Sequence, residues 1–351
     1  MTDLVSRMSP WRELGVVVAV LVLAAAGCGG DEEEATSTST SAPAEASSAC
    51  GDGATQPSVD RIDVTVNGTA RTALVHLPEA AAGTEPLPVV LSFHGATSSA
   101  DVQQAVDGLT DKSDQEGFVV VHPEGLVVDM NDQVTATGWD VAGREVDEPA
   151  FVTALLDELG AQVCIDASRV YATGFSTGGE LALALPCALP ERIAAVAPVA
   201  GAYQSTECES DRAAPVMAFH GLGDVVAPFE GRPTQPVLLP VVDVLAARAA
   251  RNGCTGGPEN QEVTPTVQSL TWTGCEAPTV LYQLEDHGHA WPGHPLPFTR
   301  DQVVSNFDTQ PPNPVVVAAG LTPETMADNV LLTNVDIDAT DLMWDFFTQT
   351  R

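Results

Sequence analysis

Gly174-Phe175-Ser176-Thr177-Gly178 fits the pattern G-x-S-x-G. The chemistry open to such a segment is attack by a serine hydroxyl on an acyl carbon. A hydroxyl is a poor nucleophile at neutral pH, so it needs a base, and the base needs an acid to orient it. The pattern alone is common in a chain with 29 glycines, and its surroundings single it out. Val170-Tyr171-Ala172 leads in as a strand, and Gly179-Glu180-Leu181-Ala182 leads out as a helix. A sharp turn between the two holds the serine in a strained conformation, and glycines on either side remove side chains that would collide.

In a strand-turn-helix arrangement of this kind the chain order is nucleophile, acid, histidine. Asp224 follows the predicted strand Val216-Met217-Ala218-Phe219-His220, just after Gly221-Leu222-Gly223. An acid past a strand end can reach the sheet edge that carries Ser176. Asp211 precedes that strand and Asp243 falls in a predicted helix, so both compete poorly. His287, His289 and His294 all follow the last predicted strand, and residue chemistry alone does not choose among them.

The elements that must position these groups show in the hydrophobic pattern. Val59 to Val66 alternates as a half-buried strand does, with Thr72 to Leu77 as its hairpin partner. Val89 to Phe93 and Phe118 to His122 are nearly continuous apolar runs, the mark of strands buried on both faces. Arg169 to Thr173, Ile193 to Pro198, Val216 to His220 and Val280 to Leu284 read as further strands. Pro149 to Val163, Glu180 to Leu189, Val237 to Arg251 and Asp338 to Thr348 read as helices. Strands alternating with helices predict an α/β fold, a mostly parallel sheet with helices on both faces. Pro292 to Asp336, rich in Pro and Asn, is expected to be a loop over the site or a poorly ordered segment.

Composition limits the partners. Fourteen basic residues against 48 acidic give a net charge of −34, and Lys112 is the only lysine. Such a field repels nucleic acid and anionic membranes. Arg7 and Arg12 precede an apolar run from Leu14 to Ala26, which is too short to span a bilayer and reads as a signal-peptide core. Ala25-Ala26-Gly27-Cys28 resembles a bacterial lipobox, in which Cys28 is lipidated and is the only membrane attachment. The expected organisation is a signal peptide over 1–27, an acidic and Ser/Thr/Ala-rich tether over 28–57, and a catalytic domain over 58–351. Six cysteines remain after Cys28, an even number that suggests disulfides in an exported chain. No CxxC spacing points to a metal site.

Several blocks recur together in order: Gly174 to Gly179, Ala195-Val196-Ala197-Pro198-Val199-Ala200-Gly201, His220-Gly221-Leu222-Gly223-Asp224 with Pro228-Phe229, Gly288-His289-Ala290-Trp291-Pro292-Gly293, and Ile337 to Phe347. The set resembles the polyhydroxybutyrate depolymerase and feruloyl esterase family of α/β-hydrolases, in its lipoprotein form. The resemblance implies His289 as the base, the backbone amides of Ala96 and Thr177 as the oxyanion hole, and His94 as structural. It also implies the disulfides Cys50–Cys164, Cys187–Cys208 and Cys254–Cys275. The implied activity is hydrolysis of a carboxylic ester without metal or organic cofactor, on short hydroxyalkanoate esters first and feruloyl or acetyl-xylan esters second. Trp139, Trp291 and His287, the last at a position that is usually Gly in the family, are expected to line the substrate site. A lipoprotein that binds without catalysis is the non-enzymatic alternative.

Overall fold

A computed structural model describes Cys50 and residues 59–78, 85–129, 134–204, 208, 210–234 and 237–350. The expected signal peptide, Cys28 and nearly all of the expected tether lie outside the described residues. Cys50, at the tether's far end, is bonded to Cys164.

In chain order the elements are β1 (Arg61–Val66), β2 (Thr69–His76), β3 (Leu87–Phe93), α1 (Ala100–Val106), α2 (Leu109–Glu116), β4 (Val119–Pro123), β5 (Leu126–Asp129), β6 (Thr135–Gly138), α3 (Glu148–Gln162), β7 (Ile165–Phe175) and α4 (Thr177–Ala188). They continue with β8 (Ala195–Val199), β9 (Val216–Gly221), α5 (Val241–Arg251), β10 (Gly256–Thr264), β11 (Val267–Thr273), β12 (Thr279–Leu284), α6 (Arg300–Phe307), α7 (Pro314–Ala319), α8 (Pro323–Leu331) and α9 (Ala339–Gln349). Ten strands form one sheet in the order β1-β2-β4-β3-β7-β8-β9-β12-β11-β10, and β5 and β6 pair separately. The middle six run parallel, while β1, β2, β11 and β10 continue the sheet antiparallel at its two edges. This is the α/β-hydrolase fold that the sequence predicts.

Both faces of the parallel strands are covered, so their sequences are continuously apolar yet still divide residue by residue. On β3, Val89, Leu91 and Phe93 join the core under α3, α4 and α5, and Val90 joins the core on the other face. That second core centres on α9, where Trp344 stacks on Phe118 at 4.0 Å and Phe347 stacks on Tyr171 at 4.6 Å. Burying one such ring contributes roughly 1.5–3 kcal/mol. The registers Phe93↔Gly174, Phe175↔Val199, Val199↔Phe219 and Leu284↔Gly221 align the C-terminal ends of the parallel strands, and the loops leaving β3, β7, β9 and β12 there carry the expected site residues.

The segment from Pro292 to Asp336 corrects the expectation of a loop. It contains α6, α7 and α8, which share a small apolar core of Val303, Val316, Met326, Ala327 and Val330 with Val226. The residues taken as loop punctuation are helix starts. Thr299 and Gln302 form a capping box, the Asn313 side chain accepts from the amides of Val315 and Val316 ahead of Pro314, and Thr322 caps α8 ahead of Pro323. The disulfides pair as the resemblance implies: Cys50–Cys164, Cys187–Cys208 and Cys254–Cys275.

Candidate active site

Ser176 sits between β7 and α4 at φ 54° and ψ −121°. A positive φ is costly for any residue with a side chain and persists only where its surroundings enforce it. Here the Ser176 amide donates to the Val199 carbonyl of β8 at 2.9 Å, and its carbonyl accepts from the Glu180 amide at 3.0 Å. A Cβ on Gly174 would come within 2.6 Å of the Gly178 backbone, and one on Gly178 would strike the carbonyls of Phe93 and His94. These two glycines let the turn close against β3.

Asp224 leaves the end of β9, and its carboxylate is fully committed. Oδ1 accepts from the amides of Val226 at 2.9 Å and Ala227 at 2.8 Å. Oδ2 lies 2.7 Å from His289 Nδ1. Burial pushes this carboxyl up, but the attraction and hydrogen bond of His289, with His220 and the Ala227 amide, outweigh it and hold the carboxyl below its ordinary range. An ionised carboxylate only accepts, so this hydrogen bond selects the neutral tautomer of His289 in which Nδ1 carries the proton and Nε2 the lone pair. The imidazole leans on Phe175 at a centroid distance of 4.7 Å. Among the described residues no hydrogen bond joins Ser176 to His289, a contact that in related chemistry often tightens only with substrate bound.

Ser176, Thr177 and Ala96 share the wall of a cavity of about 1020 Å³. The amides of Ala96 and Thr177 make no hydrogen bond among the described residues. His94 is spent on structure: Nδ1 donates to the Gly95 carbonyl at 2.8 Å and Nε2 accepts from the Gly125 amide at 2.9 Å. Trp139 contributes to the cavity wall although it is only 1% exposed, with Nε1 donating to the His94 carbonyl at 2.7 Å. Behind it Arg71 pairs with Glu148 at 3.0 Å and lies 3.8 Å over the Phe151 ring. Val315, Ala318 and Ala319 of α7 close another side of the cavity.

Two expected lining residues are elsewhere. Trp291 belongs to the core under α9, with Nε1 donating to Thr340 Oγ1 at 3.0 Å. His287 is buried, with Nε2 donating to the Ala290 carbonyl at 3.1 Å and Nδ1 accepting from the Asn334 amide at 2.9 Å. Neither reaches the cavity wall, because each side chain is consumed in fastening the chain around His289. His294 pairs with Asp338 at 3.1 Å.

Three nearby residues left no mark in the sequence reading. Asn329 of α8 accepts at Oδ1 from the amides of Val225 and His289, both at 3.1 Å, and donates from Nδ2 to the Gly223 carbonyl at 2.7 Å. It therefore ties the loops of Asp224 and His289 to each other. Gly288 permits this approach, since a Cβ there would strike the Asn329 carbonyl. The others are Glu180 and Tyr203, both buried at the cavity wall beside Ser176. An acid one turn inside an otherwise apolar helix is the signal that marks Glu180; an isolated Asn or Tyr carries none.

Residues 72–230 match the model of the family described as esterase PHB depolymerase. NocK of Nocardia uniformis subsp. tsuyamanensis, an esterase by its name, is 29% identical over 71% of this chain and 78% of its own. Feruloyl esterase C of Emericella nidulans is 25% identical over 68% of this chain and 84% of its own. The bifunctional acetylxylan esterase/xylanase XynS20E of Neocallimastix patriciarum is 27% identical over 64% of this chain, which spans only 31% of that longer protein. Among solved structures, the acetyl xylan esterase from Aspergillus awamori is similar over 65% of this chain and 93% of its own, at 16% identity and a TM-score of 0.47.

Proposed function

We propose, from the premise that this chain belongs to the esterase PHB depolymerase family and is a carboxylic ester hydrolase, that Ser176 is its nucleophile, His289 its base and Asp224 the acid that orients the base. The observation that carries the reading is the 2.7 Å contact between Asp224 Oδ2 and His289 Nδ1, on loops that converge on a serine held at φ 54°. His289 Nε2 takes the Ser176 proton as Oγ attacks the ester carbonyl. The amides of Ala96 and Thr177 receive the oxyanion. His289 then protonates the departing alcohol, and water frees the acid by the same steps in reverse. The alternative of a binding lipoprotein without catalysis falls with the family.

The substrate in this reading is a short hydroxyalkanoate ester. The cavity of about 1020 Å³ is large enough for an oligomer, and apolar side chains of Leu238 and Val315 face it. The names of the feruloyl and acetylxylan esterases among the relatives favour a second reading, an ester of a phenolic or acetylated sugar. Three disulfides support export to an oxidising compartment. Anchoring through Cys28 belongs to this proposal and rests on the lipobox-like segment Ala25-Ala26-Gly27-Cys28. Hydroxybutyrate oligomers, methyl ferulate and acetylated xylan, assayed side by side, discriminate the readings. Ser176→Ala is expected to lower kcat by about 10⁴–10⁶ on whichever is cleaved. Activity near that of the unsubstituted protein refutes the assignment of the nucleophile.

A further inference from the structure

Arg232 stands in the cavity wall with no part in the mechanism above. Its backbone is fixed: its amide donates to the Leu238 carbonyl at 2.8 Å, and its carbonyl accepts from the Leu238 amide at 2.9 Å. Gly231, at φ 77°, allows this close pairing, since a Cβ there would come within 2.6 Å of the Leu238 carbonyl. The guanidinium gives one N–H to the Val226 carbonyl at 2.7 Å. Among the described residues its side chain makes no other hydrogen bond and no ion pair. This cation is half-buried and unpaired in a chain with 48 acidic residues against 14 basic. Arg71, by contrast, is matched by Glu148 at 3.0 Å.

Three contacts place Arg232 within the site. It holds the carbonyl of Val226, the amide of the same residue donates to Asp224 Oδ1 at 2.9 Å, and Asp224 Oδ2 lies 2.7 Å from His289 Nδ1. Arg232 therefore belongs to the His289 side of Ser176. The alcohol leaves on that side, because His289 gives it a proton. The acids Asp140, Glu145 and Asp147 enter the cavity on the segment between β6 and α3, which Trp139 ties to the end of β3 through the His94 carbonyl. In the sheet, β3 and β9 lie on opposite sides of β7, the strand that ends at Ser176. The cation and these acids thus flank the nucleophile from opposite sides.

We propose that Arg232 binds a carboxylate on the alcohol part of the ester, so that the preferred substrate is an oligomer of hydroxy acids cut near its free carboxyl end. The proposal rests on the assignment of Ser176 and His289 given above and narrows the hydroxyalkanoate reading. A guanidinium presents a planar fork of N–H groups that matches the two oxygens of a carboxylate, and such charge-assisted bonds are strong. Burial lowers the pKa of this guanidinium, against the opposite pull of Asp224, so a counter-charge offsets a cost that the fold already bears. Asp224 itself is spent on His289 and on the Val226 and Ala227 amides. In the reaction the bond between acyl carbon and alcohol oxygen breaks. Water gives its hydroxyl to the acyl group and its hydrogen to the alcohol oxygen, and the freed hydroxy acid keeps its carboxylate on Arg232 until it departs. An alcohol without a carboxylate forgoes this contact.

The test is kcat/KM for the hydroxybutyrate trimer as the free acid beside its methyl ester, at one ionic strength. p-Nitrophenyl butyrate, whose alcohol carries no carboxylate, reports the triad alone. The unsubstituted protein is expected to prefer the free acid by about 10- to 100-fold, with the difference in KM. R232M is expected to abolish the preference, and R232K, which keeps the charge without the fork, to retain part of it. A role confined to holding the Val226 turn would slow both trimers alike and leave their ratio where it was. A ratio near one in the unsubstituted protein, which needs no variant to fold, overturns the proposal, and so does a ratio that survives in R232M. Hydrolysis of p-nitrophenyl butyrate with neither trimer cut overturns it too, and leaves the triad standing. Hydrolysis undiminished in Ser176→Ala refutes the nucleophile assignment instead.

Discussion

Asn329→Ala removes a side chain that touches neither substrate nor nucleophile, yet it should damage catalysis and stability together. The side chain makes three hydrogen bonds, to the Val225 amide, the His289 amide and the Gly223 carbonyl. Truncation leaves those groups without a partner in a largely buried place. At about 1 kcal/mol each, toward the low end because water can enter the small hole, the loss is about 3 kcal/mol. For a domain of this size that corresponds to a fall in Tm of roughly 5 °C. The loops of Asp224 and His289 would also lose their mutual tie. A misplacement near 1 Å at a reacting group costs about a hundredfold, so kcat should fall by about 10- to 100-fold with little change in KM. Steady-state kinetics on a p-nitrophenyl ester beside a thermal melt reads both. N329D refines the test. Its carboxylate can still accept from the two amides, but it turns an acceptor toward the Gly223 carbonyl where a donor stood. Its deficit should shrink as pH falls, because the protonated carboxyl can donate to Gly223. A kcat within twofold of the unsubstituted protein and an unmoved Tm in N329A would show that the clamp does not hold the site.

Buried neutral histidines should make the protein sensitive to acid. Burial above all holds His287 down at about 4, against 6.5 in the unfolded chain. Its contribution, up to about 3 kcal/mol, is complete above pH 6.5 and is lost as pH falls toward 4. His94 and His220 are lowered in the same direction, also chiefly by burial. H287Q should be less stable at pH 7 but should lose less stability between pH 7 and 4, as read by urea denaturation at each pH; an equal slope contradicts this. Arg71→Met strands the buried Glu148 carboxylate and should cost about 3–5 kcal/mol, while R71M/E148M should recover much of it, measured the same way. C187S/C208S opens a bridge between positions 21 residues apart, and a loss of about 3 kcal/mol is expected by thermal melt.

The parallel strands were legible because burial on both faces leaves an unbroken apolar run, as in β3 and β4. The turn at Ser176 was legible because the collision it avoids demands glycine at fixed places. β10 was not. All but the last of its residues are exposed, so no apolar alternation marks it, and its backbone pairing with β11 supplies the order. α6, α7 and α8 were misread for a different reason: Pro and Asn signal both turns and helix starts, and only the residues that follow decide. His287 and Trp291 stand beside His289 in sequence, and their types suit a binding surface. Which way each points depended on Asn334 and Thr340, partners 47 and 49 residues away. Asn329 acts through single hydrogen bonds to loops about 40 and 104–106 residues distant, a relation with no periodicity to detect.

The three helices between β12 and α9 bear on how this protein could diverge or be redesigned. One of them, α7, shapes the cavity, and another, α8, holds the loops of Asp224 and His289 together. A graft that exchanges the whole segment for a relative's counterpart, the usual route to a new preference, would remove the tie at Asn329 along with the old wall. Successful recombinants should therefore keep α8 and vary α7 and its flanks. Change along that path is expected to be incremental, residue by residue around Val315 and Ala318, rather than by wholesale exchange of the segment.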